Sequence, residues 1–497
     1  MRAKALVVLT FLLFSISAAQ ASSQKVLYTF TGGADGGQPV AGVIFDPAGN
    51  LYGVTQLGGL YGKGTVFELT PSSSGPWTET VLYNFTGGTD GANPVGGLAT
   101  DGYHLFGTAS QGGNPNPIYG TCGTLFELPI LGTSGSFTVL YAFQTHDDES
   151  DGCTPVAKLF WVEGDPGALW GTTTNGGDNY GTTFIFDLDG NTYGSFPFTG
   201  RNGQNIYGGI NDWGYGATFW GGGSGNGEVY DMFPLGHIKN IHSFIRTNKF
   251  GYNPMGELLT ATVGGVPTMY GTTSTGGVGG AGTVYALSQT KGLWGISLLY
   301  SFSGQNGANP AAGLAMDSEG NLYGTTSSGG ANSGYAGTVF ELTPGANKMW
   351  TPTVLHSFSG GDDGGTIDSP VVLDNAGNLY GTTLYGGAYN QGVVYEAASV
   401  PATTTTLTST PNPSTHGQAV TFTAVVTSSA GAPPDGETVT FMKVKTVLGT
   451  GLLSGGAASF TTSTLPEATN KITAVYGGDS NFVGSTSNLV LQVVTAK

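Results

Sequence analysis

The sequence predicts an all-β protein: a seven-bladed β-propeller closed by the N-terminal strand, followed by a C-terminal Ig-like β-sandwich. Three observations support this fold class. An aromatic-glycine pair recurs seven times at intervals of about 50 to 60 residues, and a strand similar to GTVFEL follows each pair. The chain also contains 87 glycines, which penalise helices, and it has no apolar stripes of helical period.

Each repeat carries three landmarks. The aromatic-glycine pairs are Tyr52-Gly53, Phe106-Gly107, Trp170-Gly171, Trp220-Gly221, Tyr270-Gly271, Tyr323-Gly324 and Tyr380-Gly381. The GTVFEL strands begin at Gly64, Gly123, Gly227, Gly282, Gly337 and Gly392, with an altered copy at Thr183 to Leu188. The third landmark, LYxF, is centred on Phe30, Phe85, Phe143, Phe198, Phe244, Phe302 and Phe358.

The sixth repeat shows four predicted strands most clearly. They are Ala312 to Met316, Asn321 to Thr326, Thr338 to Leu342 and Thr353 to Phe358, and turn residues separate them. A repeated unit of four strands favours a propeller blade, and the alternative is a β-solenoid, whose rungs are usually shorter.

The two ends of the repeat region predict a closed ring. The chain after the signal starts with a lone strand, Val26 to Phe30, and the seventh unit stops after its third strand, Val393 to Ala397. If the first strand completes the last unit, the two sheet edges of an open array disappear.

Blade topology places the long glycine-rich loops of all units on one face of the disc. Cys122 and Cys153 fall in two such loops, in the second and third units. Since an exported chain permits a disulfide, pairing and two free thiols are left as alternatives.

The N-terminus predicts export. Arg2 and Lys4 precede an apolar run from Ala5 to Phe14 and a small-residue cleavage motif, so residues 1–21 are interpreted as a signal peptide. Without it, 13 basic and 32 acidic residues give a net charge of −19. That charge disfavours nucleic acid as a partner, and no later run is long enough for membrane insertion. We therefore expect a secreted protein, either free or associated with the cell surface.

The pattern GNLYGTT followed by GTVFELTP resembles the GloVer tandem-repeat family of bacterial exported proteins, over about residues 26–399. Near the C-terminus, VTFTAVV and the stretch Ile472 to Ser487 resemble bacterial Ig-like repeat domains of surface proteins. We therefore expect a propeller of GloVer-type repeats over residues 22–400 and an Ig-like domain over residues 401–497. The second resemblance implies a spacer or an adhesive module.

Residues found in nearly every unit are interpreted as framework, because a catalytic centre needs one constellation rather than seven. The repeated acids of the GTVFEL strands fall in this class, and so do the Asp or Asn residues after each LYxF strand, for which a ring of Ca²⁺ ligands is the alternative to turn formation. Asp187 to Asn191 is interpreted as an ordinary turn, and the GxGxxG at Gly277 to Gly282 as a chance match, because the predicted segment after it is a strand and not a helix. We expect no cofactor, with Ca²⁺ as the alternative, no metal site and no catalytic residue.

Departures from the repeat remain as candidate sites. The fourth unit carries Arg201, Asp212, Trp213 and Trp220, a combination that can stack on a sugar ring and bind its hydroxyl groups. The alternative is that unit four has drifted from the repeat and that its tryptophans fill gaps in the packing, with Trp220 as the aromatic residue of the unit's own pair. The leading hypothesis is a non-enzymatic binding or scaffold protein of the cell surface, with glycans or other envelope components as partners. The alternative is a propeller enzyme acting on extracellular glycans, with acids of the third and fourth units, Asp148, Asp151 and Asp212, as general acid and base.

Overall fold

A computed structural model describes residues 23–72, 76–114, 121–130, 136–144, 151–164, 167–189, 192–233, 237–246, 249–332, 336–345, 349–398, 403–428, 431–444, 446–478 and 482–497. Every regular element in these ranges is a β-strand. The chain divides into two compact units, residues 22–399 and 400–497. In the described ranges, no helix is long and apolar enough to cross a membrane. The predicted signal peptide and His146 to Glu149 lie outside them.

The first compact unit is a series of small antiparallel sheets, with one main sheet for each repeat. Its N-terminal strand is β1 (Ser23–Thr29). Units one and two contain β2 (Ile44–Phe45), β3 (Leu51–Thr55), β4 (Thr65–Thr70), β5 (Thr78–Asn84), β6 (Ala99–Thr100), β7 (His104–Ala109), β8 (Thr124–Pro129) and β9 (Thr138–Ala142). Unit three contains β10 (Gly152–Cys153), β11 (Phe160–Val162), β12 (Ala168–Thr173), β13 (Asn175–Gly176), β14 (Thr182–Asp187) and β15 (Thr192–Pro197).

Units four to seven continue the series. Unit four has β16 (Tyr215–Thr218), β17 (Glu228–Asp231) and β18 (Lys239–Ser243), and unit five has β19 (Tyr252–Pro254), β20 (Leu259–Val263), β21 (Val266–Thr275), β22 (Thr283–Thr290) and β23 (Leu293–Ser301). Units six and seven have β24 (Ala315–Met316), β25 (Leu322–Thr326), β26 (Thr338–Pro344), β27 (Trp350–Ser357), β28 (Val372–Leu373), β29 (Leu379–Thr383) and β30 (Val393–Ala398).

The N-terminal strand completes the sheet of unit seven. That sheet has the order β1-β30-β29-β28, and β1 pairs with β30 from Ser23 opposite Ala398 to Thr29 opposite Val393. Units one, two and six are also four-stranded, and unit three has a four-stranded sheet, β11-β12-β14-β15, with the separate pair β10-β13. Unit four has three strands and unit five has five. The four strands predicted for unit six are present with shifted ends.

Each LYxF phenylalanine packs edge-on against an aromatic ring in the third strand of the next unit. Seven such contacts have ring centroids 5.0 to 5.3 Å apart. The pairs are Phe30–Phe67, Phe85–Phe126, Phe143–Phe184, Phe198–Tyr230, Phe244–Tyr285, Phe302–Phe340 and Phe358–Tyr395. Since β1 belongs to the sheet of unit seven, the first pair joins unit seven to unit one.

The glycine of each aromatic-glycine pair faces that same aromatic ring. A Cβ atom on the glycine would lie 2.3 to 2.6 Å from the ring or its hydroxyl group, closer than any side chain tolerates. The facing pairs are Gly53–Phe67, Gly107–Phe126, Gly171–Phe184, Gly216–Tyr230, Gly271–Tyr285, Gly324–Phe340 and Gly381–Tyr395. Glycine is therefore required there by close packing, not by turn geometry.

This packing corrects the predicted repeat in unit four. The pair there is Tyr215-Gly216, because Gly216 pairs with Tyr230 in the strand ladder, as Gly53 pairs with Phe67 in unit one. Trp220-Gly221 instead lies in the loop after β16, where Trp220 bridges Gln204. The prediction was wrong because the first hairpin of unit four is shortened, which moves the true pair toward the N-terminus.

Neighbouring units are also linked by one backbone hydrogen bond at each junction. Its donor is a backbone N–H near the start of one unit, and its acceptor is a backbone carbonyl in a loop of the preceding unit. The N···O distances are 2.7 to 3.1 Å. The donor-acceptor pairs are Gln38–Gln391, Asn93–Lys63, Thr154–Cys122, Asn205–Tyr180, Asn253–Asn226, Asn309–Ala281 and Thr366–Ala336. At the junction of units two and three, Cys122 and Cys153 also form a disulfide.

The second compact unit has two sheets around one apolar core. Its strands are β31 (Thr403–Thr410), β32 (Ser414–Thr415), β33 (Val420–Ser428), β34 (Thr438–Lys443), β35 (Thr446–Leu452), β36 (Ala457–Thr462), β37 (Thr469–Gly478), β38 (Val483–Thr486) and β39 (Val490–Thr495). Strands β31, β33 and β36 form one sheet, and the other six form the second. Phe422 and Phe441, one from each sheet, share the core, as expected of a β-sandwich.

The contact between Phe30 and Phe67 predicts that β1 contributes as much to stability as an internal strand. Phe30→Ala and Phe302→Ala both remove fully buried rings with the same packing. Each should lower the free energy of unfolding by about 3 to 5 kcal/mol, measured by urea denaturation. The exposed Leu60 supplies the control, since Leu60→Ala should change little. A negligible effect of Phe30→Ala alone would contradict the pairing of β1 with unit seven in solution.

The repeat also predicts a stabilising substitution. The hydroxyl groups of Tyr285 and Tyr395 are buried without a hydrogen-bond partner, at a position where four other units carry phenylalanine. Tyr285→Phe and Tyr395→Phe should each raise the free energy of unfolding by about 1 kcal/mol, because an unsatisfied polar group is removed. Tyr52→Phe is the matched control: its hydroxyl donates to Glu68 at 2.9 Å, so this change should be destabilising.

Unit four replaces a buried threonine by Glu228, and this predicts a pH-dependent stability. Thr65 hydrogen-bonds Thr55 at the equivalent position of unit one. Glu228 is fully buried, Asn240 and Ser243 donate to its Oε2, and its Oε1 has no partner. Burial raises the pKa of its carboxyl group from 4.5 to about 7. The native state therefore holds the proton more tightly than the unfolded chain, and stability is lost as the pH rises from about 4.5 to 7.

Glu228→Gln should abolish this loss. The variant should exceed the wild type by up to roughly 3 kcal/mol at pH 8.5 and match it near pH 4.5, measured by urea denaturation at both pH values. Glu79, whose pKa burial also raises to about 7, is present in both proteins, so its effect cancels. An equal difference between the two proteins at both pH values would refute the assignment.

Candidate functional site

A cavity of about 1040 Å³ lies where the first-strand segments of the units meet. All seven units contribute one segment each to its wall. The segments lie within residues 40–44, 95–98, 156–160, 207–212, 255–260, 309–314 and 368–372. The volume is that of a site for a small molecule or a short oligomer.

Neighbouring segments of the cavity wall pack backbone against backbone. A Cβ atom on Gly96 would lie 2.6 Å from the carbonyl oxygen of Ala157, and one on Gly256 would lie 2.3 Å from the carbonyl carbon of Ala312. Small residues are therefore required where the segments touch. The side chains that can face the cavity come from the positions in between.

Four charged residues interrupt this mostly apolar wall. Lys158 and Glu257 occupy the position that is glycine in four other units, at Gly42, Gly97, Gly209 and Gly313. Asp368 stands two positions earlier in its segment, where the other units carry Val, Tyr, Met or Ala. Asp212 follows the segment of unit four, and its Oδ1 accepts a hydrogen bond of 2.6 Å from Thr260.

The carboxyl groups line a cavity that is open to solvent. Asp368 and Asp212 are exposed and Glu257 is half-buried. Desolvation raises the pKa of Glu257; the positive charge of Lys158 opposes this shift, and the negative charge of Asp212 adds to it. Desolvation also raises the pKa of Asp368.

Three aromatic residues of unit four form a cluster at the loop end of the cavity. Tyr207 and Phe219 line the wall, with ring centroids 5.5 Å apart. Phe219 also packs edge-on against Trp220 at 4.9 Å. Tyr207 and Trp220 are 42% and 41% exposed, so the outer faces of both rings are accessible to a ligand.

The four residues predicted to bind a ligand lie in three places. Arg201 is exposed in the loop before β16, and its loop contacts the loop of Trp220, since Gly222 donates to the carbonyl of Gly200 at 3.1 Å. Asp212 lines the cavity. Trp213 lies beyond the opposite end of β16 and packs against the buried core around Val229 and Leu258.

The sequence analysis missed Lys158, Glu257, Asp368 and Tyr207. The sequence does contain a pattern that distinguishes them: when the units are aligned on the segment Pro-x-Ala/Gly-Gly-Val/Leu, these residues differ from those of the other units. The aromatic-glycine pairs and GTVFEL strands used as landmarks lie outside this segment, so aligning the units on them does not reveal these four residues.

The repeated carboxylates are used within their own loops and strands. In unit one, Asp35 accepts a hydrogen bond of 2.8 Å from the backbone N–H of Thr31, and it also accepts one from the hydroxyl of Tyr28. Asp90 and Asp363 bind the equivalent loop N–H groups of their units. Turn formation therefore accounts for these acids. Among the described residues, no group of three or more His, Cys, Asp or Glu side chains is arranged to hold a metal ion.

The acids named for the enzyme alternative are not brought together. Asp151 is buried in its own loop, where it accepts hydrogen bonds from the hydroxyl of Tyr141 at 2.9 Å and from the backbone N–H of Gln144 at 3.0 Å. Asp148 lies outside the described residues. Of the three acids, Asp212 lines the cavity.

The other sequence motifs are also accounted for by local structure. Asp187 accepts a hydrogen bond of 2.9 Å from the backbone N–H of Asp189, as in an ordinary turn. The GxGxxG stretch that ends at Gly282 leads into β22, a strand. It therefore lacks the helix N-terminus that a dinucleotide site of this type needs.

Comparison with solved structures finds only distant similarity. The extracellular domain of a protein assigned to the hybrid two-component systems of B. thetaiotaomicron is 12% identical, with a TM-score of 0.46 over 95% of this chain and 47% of that one. This chain thus spans about half the length of that protein. An α-L-arabinanase of Penicillium chrysogenum, complexed with arabinobiose, is 11% identical, with a TM-score of 0.36 over 77% and 97% of the two chains.

Comparison with sequence families is more specific. No curated protein sequence matches this chain significantly. Residues 407–495 match the bacterial Ig-like domain (group 3), which confirms the second resemblance. Three overlapping segments, residues 12–214, 179–351 and 268–432, match the Gloeobacter/Verrucomicrobia repeat. The chain therefore belongs to the Gloeobacter/Verrucomicrobia repeat family.

Proposed function

We propose that this chain is an exported, non-enzymatic binding protein, in which seven units close into a β-propeller and the central cavity binds a glycan. One observation carries the proposal: the cavity is lined by the corresponding segment of every unit. In a closed ring, the surface to which every unit contributes is the central channel. Residues of different units that depart from the repeat can contact one ligand there.

Ring closure is supported by the junction between unit seven and unit one. The edge-on aromatic contact and the backbone hydrogen bond found at the other six junctions both recur there, as Phe30–Phe67 and Gln38–Gln391. The hydroxyl of Thr382 also donates to the carbonyl of Ala41 at 2.7 Å. The same link joins unit six to unit seven, from Thr325 to Ser369.

A glycan fits the chemistry at the loop end of the cavity. Sugar rings stack on accessible aromatic faces, and Tyr207, Phe219 and Trp220 supply such faces. Gln56, Asn309 and Ser327 line the same cavity and can hydrogen-bond hydroxyl groups. Of the residues predicted from sequence, Trp220 and Asp212 belong to this proposed site, Arg201 borders it, and Trp213 acts in the core.

Export and a place at the cell surface are part of the proposal. The signal sequence predicted at residues 1–21 and the bacterial Ig-like domain support them. The Ig-like domain is proposed as a spacer or adhesive module. No cofactor is required for binding, and Ca²⁺ on the loop carboxylates is retained as the alternative.

A propeller enzyme acting on glycans is the second candidate. It is favoured by the presence of Asp212 and Glu257 in one cavity, because burial raises the pKa of Glu257, as in a general acid. Binding alone remains the leading proposal, since the other acids predicted for the enzyme are not part of this cavity.

The secreted protein should bind oligosaccharides on a glycan array, with affinities then measured by calorimetry. Tyr207→Ala and Trp220→Ala should each weaken binding by about tenfold, because each removes one aromatic face on which a sugar ring stacks, a contact of about 1 kcal/mol. Tyr61→Ala is the matched control: Tyr61 is exposed on a loop of unit one and does not line the cavity, so binding should be unchanged.

Two results would contradict this proposal. Binding that is unaffected by both cavity variants would move the site elsewhere. Release of shortened products, abolished by Asp212→Asn or Glu257→Gln, would establish the enzyme in place of the binding protein.

A further inference from the structure

We propose that the central cavity selects glycans that carry primary ammonium groups, so that the ligand is an oligosaccharide of amino sugars. The inference rests on the proposed function and adds a charge preference to it. It follows from the charged residues of the cavity wall, which the framework of the repeat does not require.

The first step is the charge of the wall. Asp212, Glu257 and Asp368 face the cavity, and Lys158 is the one basic residue among those that line it. With all four ionised, the wall carries three negative charges and one positive charge. A concave wall of one predominant sign concentrates ligands of the opposite sign, because the protein around it has a low dielectric constant and focuses the field.

The second step is that these charges are not paired with each other. The ion pairs within 4 Å among the described residues all involve histidine, and none includes Lys158 or Glu257. No hydrogen bond to the carboxylate of Glu257 or Asp368 is formed within the described part of the chain. Both carboxylates are therefore available to a ligand.

The third step is geometric. The stem of Lys158 lies against Gly97 of unit two, since a Cβ atom on that glycine would be 3.1 Å from Lys158 Cβ and Cγ. The carboxyl carbon of Glu257 lies over Gly209 of unit four, 3.8 Å from the equivalent Cβ position. Each side chain thus occupies the space that a neighbouring glycine leaves open. The carboxyl group of Glu257 and the stem of Lys158 therefore lie along the wall.

The fourth step concerns the kind of cation. The three carboxylates come from different units and different positions of the segment, and they do not form a cluster that could hold a metal ion. Separate carboxylates match separate ammonium groups, as in an oligomer of amino sugars. The aromatic faces of Tyr207 and Phe219 then contact the sugar rings.

The test compares two trisaccharides of the same linkage, one of glucosamine and one of N-acetylglucosamine, by calorimetry on the full secreted protein at pH 6.5. The glucosamine trimer should bind about tenfold more tightly at low salt, and the preference should shrink towards unity in 0.5 M NaCl, because salt screens the attraction.

Substitutions in the wall should shift the two ligands differently. Glu257→Gln and Asp368→Asn should each weaken binding of the glucosamine trimer by roughly five- to tenfold and leave the acetylated trimer within about twofold. Lys158→Met should strengthen binding of the glucosamine trimer, because it removes a repelling charge. Glu319→Gln, on the exposed turn before β25, is the control and should alter neither ligand.

The outcomes separate this inference from the proposed function. Equal binding of the two trimers, or a preference for the acetylated one, would overturn the charge selectivity and leave a glycan-binding cavity. Binding of neither trimer, with other glycans bound on the array, would also overturn it. Binding of no glycan at all would overturn both. Thermal unfolding of each variant identifies any loss that comes from misfolding.

Discussion

The fold of the repeat region depends on one close contact, that of a strand glycine against an aromatic ring in the neighbouring strand. The ring fills the space where the glycine has no side chain, and its edge then receives the LYxF phenylalanine of the preceding unit. Packing within a sheet and packing between sheets are thus joined at a single ring. A side chain larger than hydrogen at Gly107, for example, would displace Phe126 and with it the contact to Phe85. The rest of each unit is free to vary in loop length and strand number.

This constraint explains both the success and the failure of prediction from sequence. The strands of unit six and the pairing of β1 with unit seven were predictable, because short landmarks recur at similar spacing. In unit four the aromatic-glycine pair was assigned wrongly, because Trp220-Gly221 also consists of an aromatic residue followed by glycine. What defines the pair physically is its register opposite the aromatic ring of the next strand, and in unit four Gly216 has that register. Register depends on hairpin length, which a dipeptide does not reveal.

The site was less predictable than the fold, for a different reason. Its wall is assembled from seven segments far apart in the sequence, so no local motif marks it. Asp212 and Trp220 were selected because they depart from the repeat, and they lie at or beside the cavity. Trp213 was selected on the same ground but packs against the core around Val229 and Leu258. Departure from a repeat therefore marks residues of the cavity and residues of the core alike.

Energetics distinguish the two kinds of departure. Trp213 fills space in the core, which is favourable in itself. Glu257 and Asp368 stand where glycine and valine satisfy the packing of other units, and desolvation raises the pKa of both, so their ionised forms are disfavoured in the empty cavity. A bound ammonium group would offset this penalty, because a nearby positive charge favours the ionised carboxylate.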